Sequence, residues 1–453
     1  LGVLVVTGWT ARDYGLTTDE PRYIENTDRM TRWLVSVPRD GPAVAFTSES
    51  LGNGWYYARQ DSKNLPLVSL ISAFGHAILG RFDSPPTSHR WGNLIVLAVT
   101  CAVMFYWVSQ EYSTCSAIVA IVALLGMPRV FAHAQLLSID PLVGSFQVLA
   151  AWALWNSLRR EGWKWPIFCG LLVGLGAASK PTFWLIVPVW VLWGLVVDRR
   201  RLWRAGLCML LLSPLTVLLL FPLWWPNPFG GIASYLDLLL NDPIGWKIDA
   251  YYLGEIFQAE FAAGLEPVPV PWHSVPLLIA VTTPPWILGL GIVAIIGWAR
   301  ERFSENDAPD TGTAPLEGLW LISGLLLPLV IMLPMTPAHD GTRLYRPAFY
   351  FGALLAAAGF ERLRRRFLCA RPAATSWQTP VVVVALVLLA GWTTLSAHPA
   401  GLSYYNVTVG GFPGATTPVA LGKSLPEPRR PLFEISYWWE LLGKDALSEM
   451  QQH

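Results

Sequence analysis

Arg159-Arg160-Glu161-Gly162-Trp163-Lys164 leads into an apolar run from Trp165 to Ala178. A three-residue link, Ser179-Lys180-Pro181, joins it to a second run from Thr182 to Val197, and Asp198-Arg199-Arg200-Arg201-Leu202-Trp203-Arg204 closes the stretch. Apart from its link, the interior carries no charge, while both outer ends are basic. In water such a hairpin has no reason to keep its flanks so unlike its middle. In lipid it does: apolar helices cross the hydrocarbon, and Lys and Arg of short connections stay on the cytoplasmic side. Both basic ends therefore share a side, and the Ser179–Pro181 link lies on the other.

The same pattern extends outward. Apolar runs lie near His89 to Trp107, Ser116 to Phe131, Leu137 to Leu158, Ala205 to Trp224, Val275 to Trp298, Leu316 to Leu333, Ala348 to Phe360 and Val381 to Leu395. Leu1 to Val6 reads as the end of a first span whose start is missing. The expectation is an all-α polytopic membrane protein of about eleven spans, several of them shorter than the ~20 residues a perpendicular helix needs. Leu65 to Gly80 is apolar but short and contains Pro66, Gly75 and His76, so it is expected to lie along the interface.

Composition agrees. Hydrophobic residues make up 53% of the chain and charged ones 14%, with 24 Trp and a mean hydropathy of +0.42. A net charge of +1 offers nucleic acid no basic body to bind. The five cysteines fall in or beside apolar runs without zinc or disulfide spacing. No Walker-type, dinucleotide-binding or calcium-loop motif is present. Arg300 and Arg302, and later Arg362, Arg364, Arg365, Arg366 and Arg371, fall on the same side as the first basic clusters if the spans alternate. The exported face then receives the loops 10–88 and 225–274, the links 132–136 and 179–181, the segment 334–347 and the tail from 396. The chain divides accordingly into a transmembrane domain, 1–397, and an exported tail, 398–453.

The suggestive residues fall on that exported face. Asp19-Glu20 precede Pro21 at the start of an amphipathic helix. Either acid could cap it, but capping accounts for one acid and not both. The alternative is a general base at the membrane surface. Asp140 begins an apolar helix and is either a cap, with Ser138, or a second acid of a site. Lys180 and the pair Arg343 and Arg346 break the orientation rule, which calls for anionic compensation. A bound phosphate would supply it; the competing readings are a snorkelling lysine at Lys180 and internal pairing of Arg343 with Asp340 or Asp19. His133 sits on the same rim, where a structural hydrogen bond competes with a binding role. In the tail, Ser403-Tyr404-Tyr405-Asn406 and Tyr437-Trp438-Trp439-Glu440 could line a pocket or fold the tail onto the bundle. Asn406-Val407-Thr408 is a weak glycosylation sequon.

Taken in order, Asp19-Glu20 with Arg22-Tyr23, Pro128-Arg129 through Asp140, Gly174 through Lys180-Pro181-Thr182, Asp340-Gly341-Thr342-Arg343, and the two tail clusters resemble the GT-C membrane glycosyltransferases of family 39 type. This is the superfamily of protein O-mannosyltransferases and lipid A aminoarabinose transferases. The resemblance runs from Thr17 to about Glu440. It implies an inverting transfer from a polyprenyl-phosphate sugar donor to a hydroxyl of a protein, glycolipid or polymer, on the exported face of a bacterial inner membrane. Carried onto this chain, it makes Asp19 the catalytic base, with Glu20 in support and Asp140 as a second acid. Lys180, Arg343 and Arg346 would hold the donor phosphate, and Arg22, Tyr23, His133, Asp340, Tyr404 and Asn406 would contact substrate. No metal or other cofactor is required, although the acids could hold a divalent cation. Where such relatives carry a His-Pro-Pro-Leu-like stretch, this chain has Lys63-Asn64-Leu65-Pro66. The competing reading, a non-catalytic transporter or flippase of a lipid-linked saccharide, would require polar residues through the membrane midplane, and the spans are nearly free of them. The whole reading expects the acids and cations to gather at one exported cavity.

Overall fold

The basic-flanked stretch folds as a helix, Lys164–Ala177, a 3-10 turn, Pro181–Leu185, and a long helical segment, Ile186–Leu219. Asp198 leaves helical geometry inside that segment (φ −155°, ψ 86°), and its carboxylate accepts from the backbone N–H groups of Arg200 and Arg201 at 3.0 and 3.1 Å. It thus caps a new helix, and the two apolar runs on either side are separate helices joined by a turn. Two glycines set their packing. A Cβ on Gly170 would lie 2.5 Å from the carbonyl oxygen of Cys208, and one on Gly174 would lie 2.5 Å from Cβ of Thr216. Spaced four apart, they let the backbones touch as small-residue faces do in lipid, and Ser213 donates to the Gly170 carbonyl at 3.0 Å.

The computed structural model describes residues 1–56, 66–241, 250–257, 269–303, 314–333, 336, 338–370, 375–417 and 431–433. Lys63, Asn64 and Leu65, the polar stretch 304–313 and Tyr437-Trp438-Trp439-Glu440 lie outside these. The described residues form two compact units. The first comprises Leu1–Val103 with Ala134–Asp242, and the second comprises Met104–His133 with Pro243–Trp439.

In the first unit, Ile139–Arg159 is buried along nearly its whole length, as a helix apolar on all sides must be. Lys164–Ala177 packs on it, and Leu67–Leu79 and the amphipathic Glu20–Asp40 pack on each other. Leu67, Val68, Ser69, Ser72, Ala73 and Gly75 are buried, so the Leu67–Leu79 helix is seated on protein along one face.

In the second unit, Thr114–Leu125, Pro285–Phe303, Ala314–Ile331, Pro347–Ala370 and Thr375–Ala397 form a bundle. Polar bonds tie one end of it. Arg362 bridges Glu301 and Glu317 at 2.6 Å each, and Glu361 accepts from Ser113, Ser116, Arg364 and Arg365. The run Val275 to Trp298, read as one span, is broken into Ser274–Thr282 and Pro285–Phe303. Thr283 precedes Pro284, and a residue before proline is pushed out of the helical region. Likewise Thr114–Leu125 and Pro128–Ala134 meet at a 76° bend ahead of Pro128. A small hairpin pairs Ala250–Tyr252 with Glu255–Phe257 through Leu253 and Gly254, both at positive φ.

Among the described residues, Thr87–Glu111, Pro181–Leu219 and Trp377–Ala397 are long and apolar enough to cross a membrane, and the bent pair would make a fourth. This is an all-helical integral membrane protein. The expected count of about eleven spans rests on shorter apolar helices such as Lys164–Ala177 and Pro315–Ile331.

Candidate active site

Asp19 and Glu20 meet different fates. Glu20 is fully buried and lies against Arg90, which is buried as completely. Its Oε1 accepts from Nε of Arg90 and from the backbone N–H of Leu137, both at 2.8 Å. Its Oε2 accepts from Nη2 of Arg90 at 2.6 Å and from the N–H of Thr17 at 3.1 Å. The Thr17 bond is half of a capping box. Four donors fill the four sites a carboxylate offers. Arg90 spends its remaining donors on the carbonyls of Ala11 (3.0 Å), Tyr14 (2.9 Å) and Gly15. Every guanidinium hydrogen is used, so the pair welds the Ala11–Glu20 loop to Thr87–Glu111 and has nothing left for a ligand.

Asp19 is only half-buried. Its backbone is helical (φ −88°, ψ −19°) rather than extended as a capping residue's would be, and its side chain makes no cap bond to the helix. Arg22 and Tyr23 follow in the first turn, exposed and half-buried respectively.

The Leu137 bond ties this loop to the next one. Asn93 donates to the carbonyls of Leu136 (3.0 Å) and Ser138 (2.9 Å), and Thr10 to Gln135 at 2.6 Å, so the segment 135–138 is clamped at each step. Ser138 caps Ile139–Arg159, its hydroxyl accepting from the N–H of Asp140 at 3.4 Å. Asp140 is thereby relieved of that duty. Its Oδ1 instead takes Nζ of Lys180 at 2.7 Å, the anionic compensation that a lysine in this link calls for. The Lys180 link is itself held, since the N–H of Leu67 reaches the Ala178 carbonyl at 3.4 Å. Asp19-Glu20, Asp140 and Lys180 thus stand on one hydrogen-bonded framework in the first unit.

Arg343, Arg346, His133, Asp340, Tyr404 and Asn406 belong to the second unit. Asp340 (φ 57°) and Gly341 (φ 56°) make a left-handed turn, and Asp340 Oδ2 accepts from Nη1 of Arg343 at 3.1 Å. Of the two readings for Arg343, internal pairing with Asp340 is present. Arg346 is buried and donates from Nη2 to Nδ1 of His133 at 2.7 Å. Arginine has only donors, so His133 accepts at Nδ1 and carries any single proton on Nε2. Arg129 lies over the Tyr405 ring at 4.5 Å and donates to the Tyr404 carbonyl at 2.8 Å, docking the tail. Burial pushes the Tyr404 hydroxyl up to about 12, so it remains a donor. Asn406 spends both amide hydrogens on the carbonyls of Ala280 (2.7 Å) and Thr283 (2.6 Å), finishing the helix Ser274–Thr282. Its amide serves the fold, and the sequon asparagine is buried.

Among the described residues no three His, Cys, Asp or Glu side chains are close enough to share a metal ion. Sequence reasoning passed over Arg90 and Asn93. Arg90 gave the same signal as Lys180, a cation at the exported end of an apolar run, but the acid beside it in space is distant in sequence.

The Archaeoglobus fulgidus oligosaccharyltransferase, crystallised with a tethered acceptor peptide containing the NVT sequon, matches with a TM-score of 0.53 at 12% identity, over 88% of this chain and 55% of that one. ArnT from Cupriavidus metallidurans matches with a TM-score of 0.42 in the apo state and 0.40 when bound to undecaprenyl phosphate, at 15% identity over 80% of this chain in both; the matches cover 76% and 77% of ArnT. No curated protein sequence matches. Residues 63–225 match the family described as dolichyl-phosphate-mannose-protein mannosyltransferase, a segment that includes His133, Asp140 and Lys180 but neither Asp19-Glu20 nor Arg343. The oligosaccharyltransferase match shows that the chain has the fold of the GT-C membrane enzymes, and over residues 63–225 it is similar to the mannosyltransferase family.

Proposed function

We propose that this protein is a glycosyltransferase that moves a sugar from a polyprenyl-phosphate carrier to an acceptor hydroxyl at the non-cytoplasmic face of a bacterial inner membrane, with inversion at the anomeric carbon. Asp19 takes the hydroxyl proton as the acceptor oxygen attacks that carbon. The bond from carbon to phosphate oxygen breaks on the opposite side, and the electron pair leaves with the lipid phosphate. Lys180 meets the charge that grows there, with Asp140 holding its ammonium in place. An ammonium has three donors and Asp140 takes one, so two can serve a phosphate. Arg22 and Tyr23, in the turn after Asp19, would contact the acceptor.

The observation that carries this reading is the division of labour in the acid pair: Glu20 is saturated and fully buried, whereas Asp19 is only half-buried and its side chain does not cap the helix. A general base contributes roughly 10²–10⁴ in rate, provided it can reach both solvent and substrate. The description of the matched family supplies the donor class. Protein reconstituted in vesicles, offered a panel of radiolabelled polyprenyl-phosphate sugars with protein, glycolipid and polymer acceptors, should yield a product one sugar heavier from one donor. Refusal of every such donor by folded protein would contradict the proposal.

A further inference from the structure

The end of the first unit remote from Lys180 carries chemistry that sugar transfer does not use. Lys164–Ala177 has 14 residues, so its two ends are separated by ~20 Å. Around the Lys164 end, seven cations (Arg159, Arg160, Lys164, Arg199, Arg200, Arg201 and Arg204) face two carboxylates, Glu161 and Asp198. Arg201 approaches both acids, at 4.0 and 3.8 Å, and donates to the carbonyls of Leu158 and Arg159 at the end of the neighbouring helix. The surplus of positive charge is set among tryptophans. Arg160 and Lys164 lie 5.4 and 5.7 Å from the Trp165 ring, and Arg204 lies 5.8 and 5.6 Å from Trp163 and Trp203.

A cleft of about 330 Å³ opens beside this cluster, lined by Lys164, Trp165, Ile167, Phe168 and Leu171. Its polar rim is cationic and its wall is apolar. Trp152 packs edge-on against Trp165 at 4.8 Å, which fixes the rim. Ile167, Phe168 and Leu171 are 40–42% exposed, so the wall faces outward. No acid occupies the first turn of this helix, although that end of a helix favours negative charge.

We propose that the cleft is a binding site for an anionic phospholipid of the surrounding bilayer. Its phosphodiester sits between Arg160 and Lys164, and one acyl chain runs along Ile167, Phe168 and Leu171. A zwitterionic lipid presents the same chain but sets a cation beside this cationic rim. Charge therefore decides between them, and the tryptophans hold the rim at headgroup depth.

Native mass spectrometry of the detergent-purified protein with equal phosphatidylglycerol and phosphatidylcholine of matched chains reads this directly. The wild type should retain phosphatidylglycerol preferentially. Each cation near an anionic headgroup is worth about a factor of five, so Arg160→Gln with Lys164→Gln should weaken retention about thirtyfold. Leu171→Trp, which fills the cleft and keeps the charges, should also lower retention, and unchanged thermal unfolding would show that both variants are folded. Equal retention of the two lipids would overturn the proposal. So would a double variant that holds phosphatidylglycerol like the wild type, or retention of undecaprenyl phosphate with no affinity for phosphatidylglycerol.

Discussion

Replacing Arg90 with Leu tests the framework that presents Asp19. The substitution removes five hydrogen bonds at once, two to the Glu20 carboxylate and three to the carbonyls of Ala11, Tyr14 and Gly15. Glu20 would keep only the N–H groups of Thr17 and Leu137, in a position with no access to water. Breaking a buried ion pair by deleting one partner costs about 3–5 kcal/mol, because the surviving charge is stranded. The three carbonyls push the result toward the upper end of that range. For a unit of this size each kcal/mol moves the midpoint by about 2–4 °C, so a fall of roughly 10–20 °C is expected. Intrinsic tryptophan fluorescence during thermal unfolding in detergent would report it. Glu20→Gln should cost less, about 1.5–3 kcal/mol, and should reduce sugar transfer only as far as it loosens the loop. An Arg90→Leu protein as stable as the wild type would refute the reasoning. So would a Glu20→Gln protein of wild-type stability without activity, since that would make Glu20 a reacting group.

Lys180→Met should destabilise by about 3–5 kcal/mol, since the buried Asp140 carboxylate would lose its cation. Adding Asp140→Asn should recover much of the stability but none of the sugar transfer, read as midpoint and turnover in parallel. Gly174→Val places a Cβ 2.5 Å from Thr216, and overpacking of this kind should cost about 1–3 kcal/mol by thermal unfolding, with Gly174→Ala giving the smaller loss. Asn406→Ala releases the carbonyls of Ala280 and Thr283 and should lower stability by about 1–3 kcal/mol, and glycan analysis of the wild type should find Asn406 unmodified.

The hairpin from Arg159 to Arg204 was legible because lipid imposes so simple a rule on it: long apolar runs, charges at the ends. The same rule marked Lys180 as needing an anion, and Asp140 meets that need at 2.7 Å. Breaks inside apolar runs were harder to read. Thr283-Pro284 and the bend before Pro128 carry their own signal in proline, but hydropathy averages across it. The resemblance assigned different roles to the acids at 19 and 20, but residue type and capping preference alone could not tell them apart. What separates them is Arg90, seventy positions away, and the N–H of Leu137, both supplied by tertiary packing. Capping at Asp140 was equally ambiguous, because Ser138 and Asp140 are both good caps and only backbone geometry selects the serine.

The central claim is that Asp19 is the base, and the rate of sugar transfer by Asp19→Asn in vesicles tests it most directly. Asparagine keeps the shape and cannot take the proton. The account predicts a loss of at least about a hundredfold in turnover by protein that still unfolds cooperatively. Transfer by Asp19→Asn at the wild-type rate would contradict it.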